Sequence, residues 1–196
     1  MSELHSIIPG LSEAEARQDQ LRDSAFLALP VKLCGLPCAE LTVRRFAILI
    51  QSRNPFVCGG FPLPEDVAMF LWAMDPAFSY TDSSARDARI EACKSLDYHA
   101  AVAEIRAFIE EVFLDSPPSS GVAGESLNSW MASLVDILAR EYGWTQREVL
   151  DLPMPCVFQY TRIINRRISP NTPQFNRLTD AAKNKWLNEQ AQKASN

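Results

Sequence analysis

The stretch that decides the fold is Arg140–Pro153, REYGWTQREVLDLP. Gly143 falls where a helix stops, because a positive φ just past the last turn costs glycine least. Trp144 can then fold back on Leu138 or Ala139, the apolar contact that accompanies such a stop. Thr145 caps the next helix, and Glu148 three residues on completes a capping box. Pro153 ends this short helix and, with Pro155, begins another. Gly143, Trp144, Thr145, Glu148 and Pro153 therefore define a tight helical corner. The competing reading is the head of a helix-turn-helix that enters DNA. That needs exposed polar or basic side chains along the second helix. Only Gln146 and Arg147 suit, while Glu148 and Asp151 repel phosphate. The structural corner is the better reading.

Working outward, Ser126 leads a helix with Leu127, Trp130, Met131, Leu134 and Leu138 inward. Beyond the corner, Val157, Tyr160, Ile164 and Ile168 line one helix face, with Arg162, Arg166 and Arg167 mostly elsewhere. Upstream, Thr42 caps a helix whose Val43, Phe46, Ala47 and Ile50 make one buried stripe. FVCGGFPLP (56–64) reads as a glycine-proline loop. Pro64 opens the next helix, with Glu65 and Asp66 at its positive end and Val67, Phe70, Leu71 and Met74 inward. Asp82 or Ser83 starts a long helical region with a break near Ser95–Asp97. Its second half presents Val102, Ile105, Ile109 and Val112.

Near the start, Ser12 and Glu15 read as a capping box for a helix to Leu29, ended by Pro30. Its apolar stripe (Leu11, Ala14, Leu21, Ala25, Leu29) is interrupted by Gln18, which predicts a helix on the surface of the core. Gly35 between two short apolar pieces gives a hairpin or extended loop. The expected fold is all-α: a compact multi-helix domain with a short extended or hairpin segment near residues 31–38 and a C-terminal helical arm. Its parts are an N-terminal helical part (1–115), a linker or loop rich in Pro, Gly and Ser (116–125), the corner (126–168) and a basic arm (169–196). The corner segment is too small to bury a stable core alone and should pack on the first part. In the arm, only Leu178, Ala182, Trp186 and Leu187 are suited to docking.

Charge is uneven along the chain. Through Gln159 there are 12 Lys/Arg against 22 Asp/Glu, a balance of −10; from Tyr160 onward the balance is +5. An acidic body with a basic end can steer that end toward nucleic acid or an acidic protein surface. The acidic body argues against nucleic acid. The longest apolar run, Val67–Met74, is too short to span a bilayer, and no secretion signal opens the chain. A cytosolic location follows. Cys34, Cys38, Cys58, Cys93 and Cys156 are odd in number, which argues for reduced thiols. Cys34, Cys38, Cys58 and His99 have spacing that fits no usual zinc finger. Cys93, Ser95, Asp97 and His99 are close in sequence but do not share a helix face, and the glycines at 59 and 60 lack the lysine of a P-loop. No catalytic residue, metal or cofactor is expected.

Two stretches carry a resemblance. LPVKLCGLPCAELTVRRFAILIQSRNPFVCGG, followed by EDVAMFLWAMDP, resembles small helical proteins encoded among tailed-phage structural genes. In those, a short extended segment leads to a helix ending in an SPF-like loop, and an apolar helix follows. LAREYGWTQREVLDLPMPCVFQY is similar to the Gly-Trp to Leu-Asp-Leu-Pro stretch of phage tail-assembly chaperones and related minor proteins. The resemblance covers roughly Leu29–Asp75 and Leu134–Tyr160. It implies a non-enzymatic, mostly helical assembly factor in the host cytoplasm. Its partners would be other phage structural proteins, the tape-measure or tail-tube protein, with homo-oligomerisation an option. Shielding of an aggregation-prone helical partner would use Phe56, Phe61, Trp72 and Tyr160, with Arg162, Arg166 and Arg167 at the basic end. The alternatives are a structural virion component (a head–tail connector or minor tail protein) and a DNA-binding regulator.

Overall fold

The computed structural model describes residues 7–79, 81–116, 129–171 and 176–194. Among these are ten helices and one two-stranded hairpin. The segment read as a linker therefore lies, beyond Ser116, outside the described residues, as do Ser126 and Leu127.

Helix α1 spans Leu11–Ser24, and its cap lies two residues before the predicted Ser12, at Gly10, whose φ is 77°. Fully buried Leu11 anchors that start. The helix also stops short of Leu29. Pro30 disfavours helical backbone at the residue before it, and Ala25–Leu29 unwind into turns. Phe26, Leu27 and Leu29 are left 51, 57 and 57% exposed. The predicted stripe thus holds at Leu11 and Ala25 and fails at Leu29.

Strands β1 (Val31–Leu33) and β2 (Leu36–Cys38) pair antiparallel with Leu33 opposite Leu36. The two-residue turn places both Cys34 (φ 53°) and Gly35 (φ 77°) at positive φ, the geometry whose twist matches the strands. Helix α2 (Val43–Gln51) is capped by Thr42, whose side chain accepts from the Arg45 N–H. The expected glycine-proline loop contains one turn of helix, α3 (Pro55–Cys58), capped by Asn54. Asn54 is buried because its amide also donates to the Asp66 carbonyl at 2.9 Å.

Helix α4 (Pro64–Ala73) is the centre of the molecule, with Val67 and every residue from Phe70 to Met74 buried. Helix α5 (Ser83–Cys93) covers one flank, and α6 (Tyr98–Val112) another. The expected break falls between them, where Asp97 caps α6 by accepting from the Ala100 N–H. Two arginines join these parts. Arg45 donates to the Ala73 and Asp75 carbonyls at the end of α4. Arg89, 7% exposed, pairs with Asp75 at 3.2 Å and donates to the Pro37 carbonyl at 2.8 Å. The main core gathers Leu33, Leu41, Leu49, Phe70, Ile105 and Phe158.

Helices α7 (Trp130–Tyr142), α8 (Gln146–Asp151) and α9 (Met154–Ile168) build the corner region. Leu138, Val149 and Ile164 form its satellite cluster, while Ile168, expected on the same face, is 72% exposed at the helix end. Helix α10 (Arg177–Ala194) lies along α1. Thr179 is buried, and the Leu178 N–H donates to the Gln18 side chain at 3.2 Å. Leu187 is 54% exposed and takes little part in this docking.

Candidate functional site

At the corner, Gly143 has φ 72° and ψ 16°, and its N–H donates to the Ala139 carbonyl at 2.8 Å. Thr145 and Glu148 form the full capping box, with the Thr145 N–H donating to the Glu148 carboxylate at 2.7 Å. That bond and a second from the Thr145 hydroxyl hold the Glu148 carboxyl below its ordinary value. Trp144 stacks on Tyr142 (4.8 Å between centroids, 24°) and meets Tyr160 edge-on at 4.8 Å. It also packs against the Leu138 cluster.

The short helix α8 does not project. Val149 is fully buried, and Asp151 takes Arg44 of α2 at 2.9 Å and Arg147 at 3.8 Å. Its exit is fastened by backbone bonds: Val43 N–H to the Leu152 carbonyl and Met154 N–H to the Leu41 carbonyl, each 2.9 Å.

A polar hub lies behind this corner. Asp115, 7% exposed, accepts from Gln18 (2.6 Å), Gln159 (2.7 Å) and Arg162 (2.6 Å), with Arg22 at 3.4 Å. Burial pushes the Arg162 pKa down, and Asp115 opposes that shift. The hub ties α1 and α9 to the end of α6, and Gln18 extends it to α10. Gln18 thus breaks the apolar stripe of α1 because it is a fully buried connector between helices.

Beside the hub is a cleft of about 320 Å³. Leu27, Leu29 and Pro30 form one wall, Phe108 and Val112 another, and Leu41, Pro153 and Pro155 a third. Glu40, Glu111 and Asp115 supply acidic groups to it. Burial raises the Glu40 carboxyl above its ordinary value. Exposed Leu27 and Leu29 stand at the mouth, and neighbouring Phe26 meets Tyr160 edge-on at 5.6 Å. An apolar surface therefore runs from the cleft to the aromatic cluster of Tyr160, Tyr142 and Trp144.

The residues singled out from sequence are not gathered in one place. Trp72 is 4% exposed and packs on Phe78, so it cannot serve as a surface contact. It lies off the stripe of α4, but α4 is covered on more than one side. Phe56 is half-buried against Phe70. Phe61 is 76% exposed, with Leu63 nearby in sequence. None of the four aromatics lines the cleft; Tyr160 is linked to its lip through Phe26. Arg162 belongs to the hub, contrary to a role in outward contact; Arg166 is exposed; Arg167 reaches Glu141 at 3.2 Å and lies over Tyr142. Sequence reasoning passed over Glu40, Asp115, Gln159 and the apolar lip at Phe26–Leu29. Gln18 within an apolar stripe was the one visible sign of a buried polar network.

The Cys34 and Cys156 thiols are pushed up to about 11, in each case chiefly by burial. Among the described residues, no group of three or more His, Cys, Asp or Glu side chains is placed to hold a metal ion. Asp97 is engaged in capping, and His99 lies exposed beside Tyr98. No helix of the described residues is long and apolar enough to cross a membrane.

These features define a class: a mostly helical domain with one small antiparallel hairpin and an apolar, acid-edged cleft. Comparison with protein-family models, curated proteins and solved structures finds no match for the chain.

Proposed function

We propose that this protein is a non-enzymatic binding protein that holds a helical segment of another protein in the cleft beside the corner. The observation that carries this reading is the apolar lip. Phe26, Leu27 and Leu29 stand half or more exposed at or beside the mouth of a cleft with mainly apolar walls. Clustered exposed apolar side chains of this kind mark interaction sites far more often than scattered ones. The hub and the capped corner support the role, because a groove framed by fixed elements loses less entropy when a partner settles in it.

The resemblance of the hairpin–helix and corner stretches to phage tail-assembly proteins supports a particular partner, a tape-measure or tail-tube protein in an infected cell. Binding would shield a helix that aggregates when alone. Coexpression with the tape-measure protein tests this reading. The expected result is increased solubility and co-purification of the partner, lost on Leu27→Ser/Leu29→Ser. If the partner stays insoluble and does not co-purify, the reading is wrong.

A further inference from the structure

The geometry points to a specific chemistry for the cleft's occupant: a partner segment with an apolar face and a lysine or arginine set against Glu40 and Glu111. This rests on the binding role proposed above and adds the partner's charge. Of the cleft's three acidic groups, Asp115 is already matched by Arg22 and Arg162. Glu40 and Glu111 have no ion-pair partner among the described residues.

Glu40 is half-buried and Glu111 is exposed, and burial raises the Glu40 carboxyl above its ordinary value. A carboxylate in that position gains most from a cation that arrives with the ligand. The walls around the two glutamates are apolar, so a small hydrophilic cation alone would leave the leucine lip uncovered. The surface extends past the cleft to Phe26 and Tyr160, which suits a length of chain better than a small molecule. An acidic apolar segment would place like charges together and be rejected.

The test uses two synthetic amphipathic helical peptides with the same leucine face, one bearing lysines on its polar face and the other glutamates. Binding to the full chain is measured by calorimetry. The lysine peptide should bind and the glutamate peptide should not. Glu40→Gln/Glu111→Gln should weaken the lysine peptide by roughly tenfold or more. A control pair on exposed sites elsewhere, Glu65→Gln/Glu91→Gln, removes the same net charge and should have far less effect. Equal weakening by the two pairs would reduce the effect to general attraction by an acidic protein and overturn this inference. If Leu27→Ser/Leu29→Ser still abolished binding, the cleft would remain the binding site. If those leucine changes also had no effect, the binding role itself would fail. All the substituted side chains lie at the cleft or at exposed positions, and unchanged melting of each variant verifies that folding is intact.

Discussion

Removing the Asp115 carboxylate is the most informative single perturbation of this fold. In Asp115→Ala, Gln18 and Gln159 each lose an acceptor while remaining buried at 0 and 8% exposure. Arg162, with its side chain 17% exposed, loses the partner at 2.6 Å. Arg22, at 3.4 Å and 23% exposed, contributes little because solvent screens it. Arg162 loses this carboxylate while keeping its bond to the Asp115 main-chain carbonyl at 3.2 Å, and breaking a buried pair by removing one member costs up to about 3–5 kcal/mol. That is a large share of the roughly 5–15 kcal/mol that holds a domain together. Urea unfolding followed by tryptophan fluorescence should therefore show a strongly lowered midpoint.

A second substitution separates this account from simple cavity formation. Adding Arg162→Met removes the charge that faced Asp115 and keeps most of the side-chain volume, so the double variant should be more stable than additivity predicts. A coupling of about 1 kcal/mol or more is expected for groups in one network. If Asp115→Ala loses under about 1 kcal/mol, or the two changes are additive, the hub does not hold these helices as argued.

The other predictions are local. An added Cβ at Gly143 would meet nothing within 4 Å, so Gly143→Ala should cost only the backbone penalty of positive φ, about 1–2 kcal/mol by thermal or urea unfolding. Gly143→Asn should recover much of that. Glu148 has a lowered pKa, so its bonds to Thr145 stabilise the corner above the ordinary carboxylate value and lose that effect as pH falls through the lowered one. Glu148→Gln, which removes the titrating group, should flatten this acid dependence of the melting temperature. Thiol chemistry should divide the cysteines: exposed Cys58 alkylates readily at neutral pH, while Cys34 and Cys156, pushed up to about 11, lag far behind by mass spectrometry. Because those two pKa values are raised, stability should hold below about 9 and fall as pH climbs toward 11.

What could be read from the sequence was the chemistry that acts within one turn. Thr42, Asp82 and Thr145 cap helices because a short oxygen-bearing side chain reaches an N–H two or three residues ahead, and nothing distant is needed. Gly35 and Gly143 mark turns for an equally local reason. Contacts between distant residues were not legible. Asp115 sits before a Ser-Pro-Pro run and reads as the start of a linker, yet its partners are 97 and 44 residues away. Trp72 fell outside an i, i+3, i+4 stripe and so resembled a surface aromatic. A stripe identifies one buried side of a helix and is silent about whether another helix covers the opposite one. Leu29 failed for a mixed reason: Pro30 was visible, but the residues just before it were still counted as helix.

The corner and the cleft are one mechanical unit, although their sequences are far apart. The cleft has Leu41 and Pro153 among its walls, and those same segments are paired by backbone bonds on both sides of the Thr42–Pro153 bridge. Each such bond contributes about 1 kcal/mol when formed and costs more when one buried partner is left unmatched. The tight stop at Gly143 and the box at Thr145 set where α8 begins, Leu152 caps its end, and there Leu152 and Met154 meet the residues at Leu41–Val43 that lead into α2. A corner with a different bend would carry Pro153 and Pro155 away from Leu41 and open that side of the cleft. On the opposite side, Asp115 and Gln159 line the cleft while also belonging to the hub. The space between the walls is therefore fixed by two independent sets of bonds, neither of which uses the exposed leucines that a partner would cover.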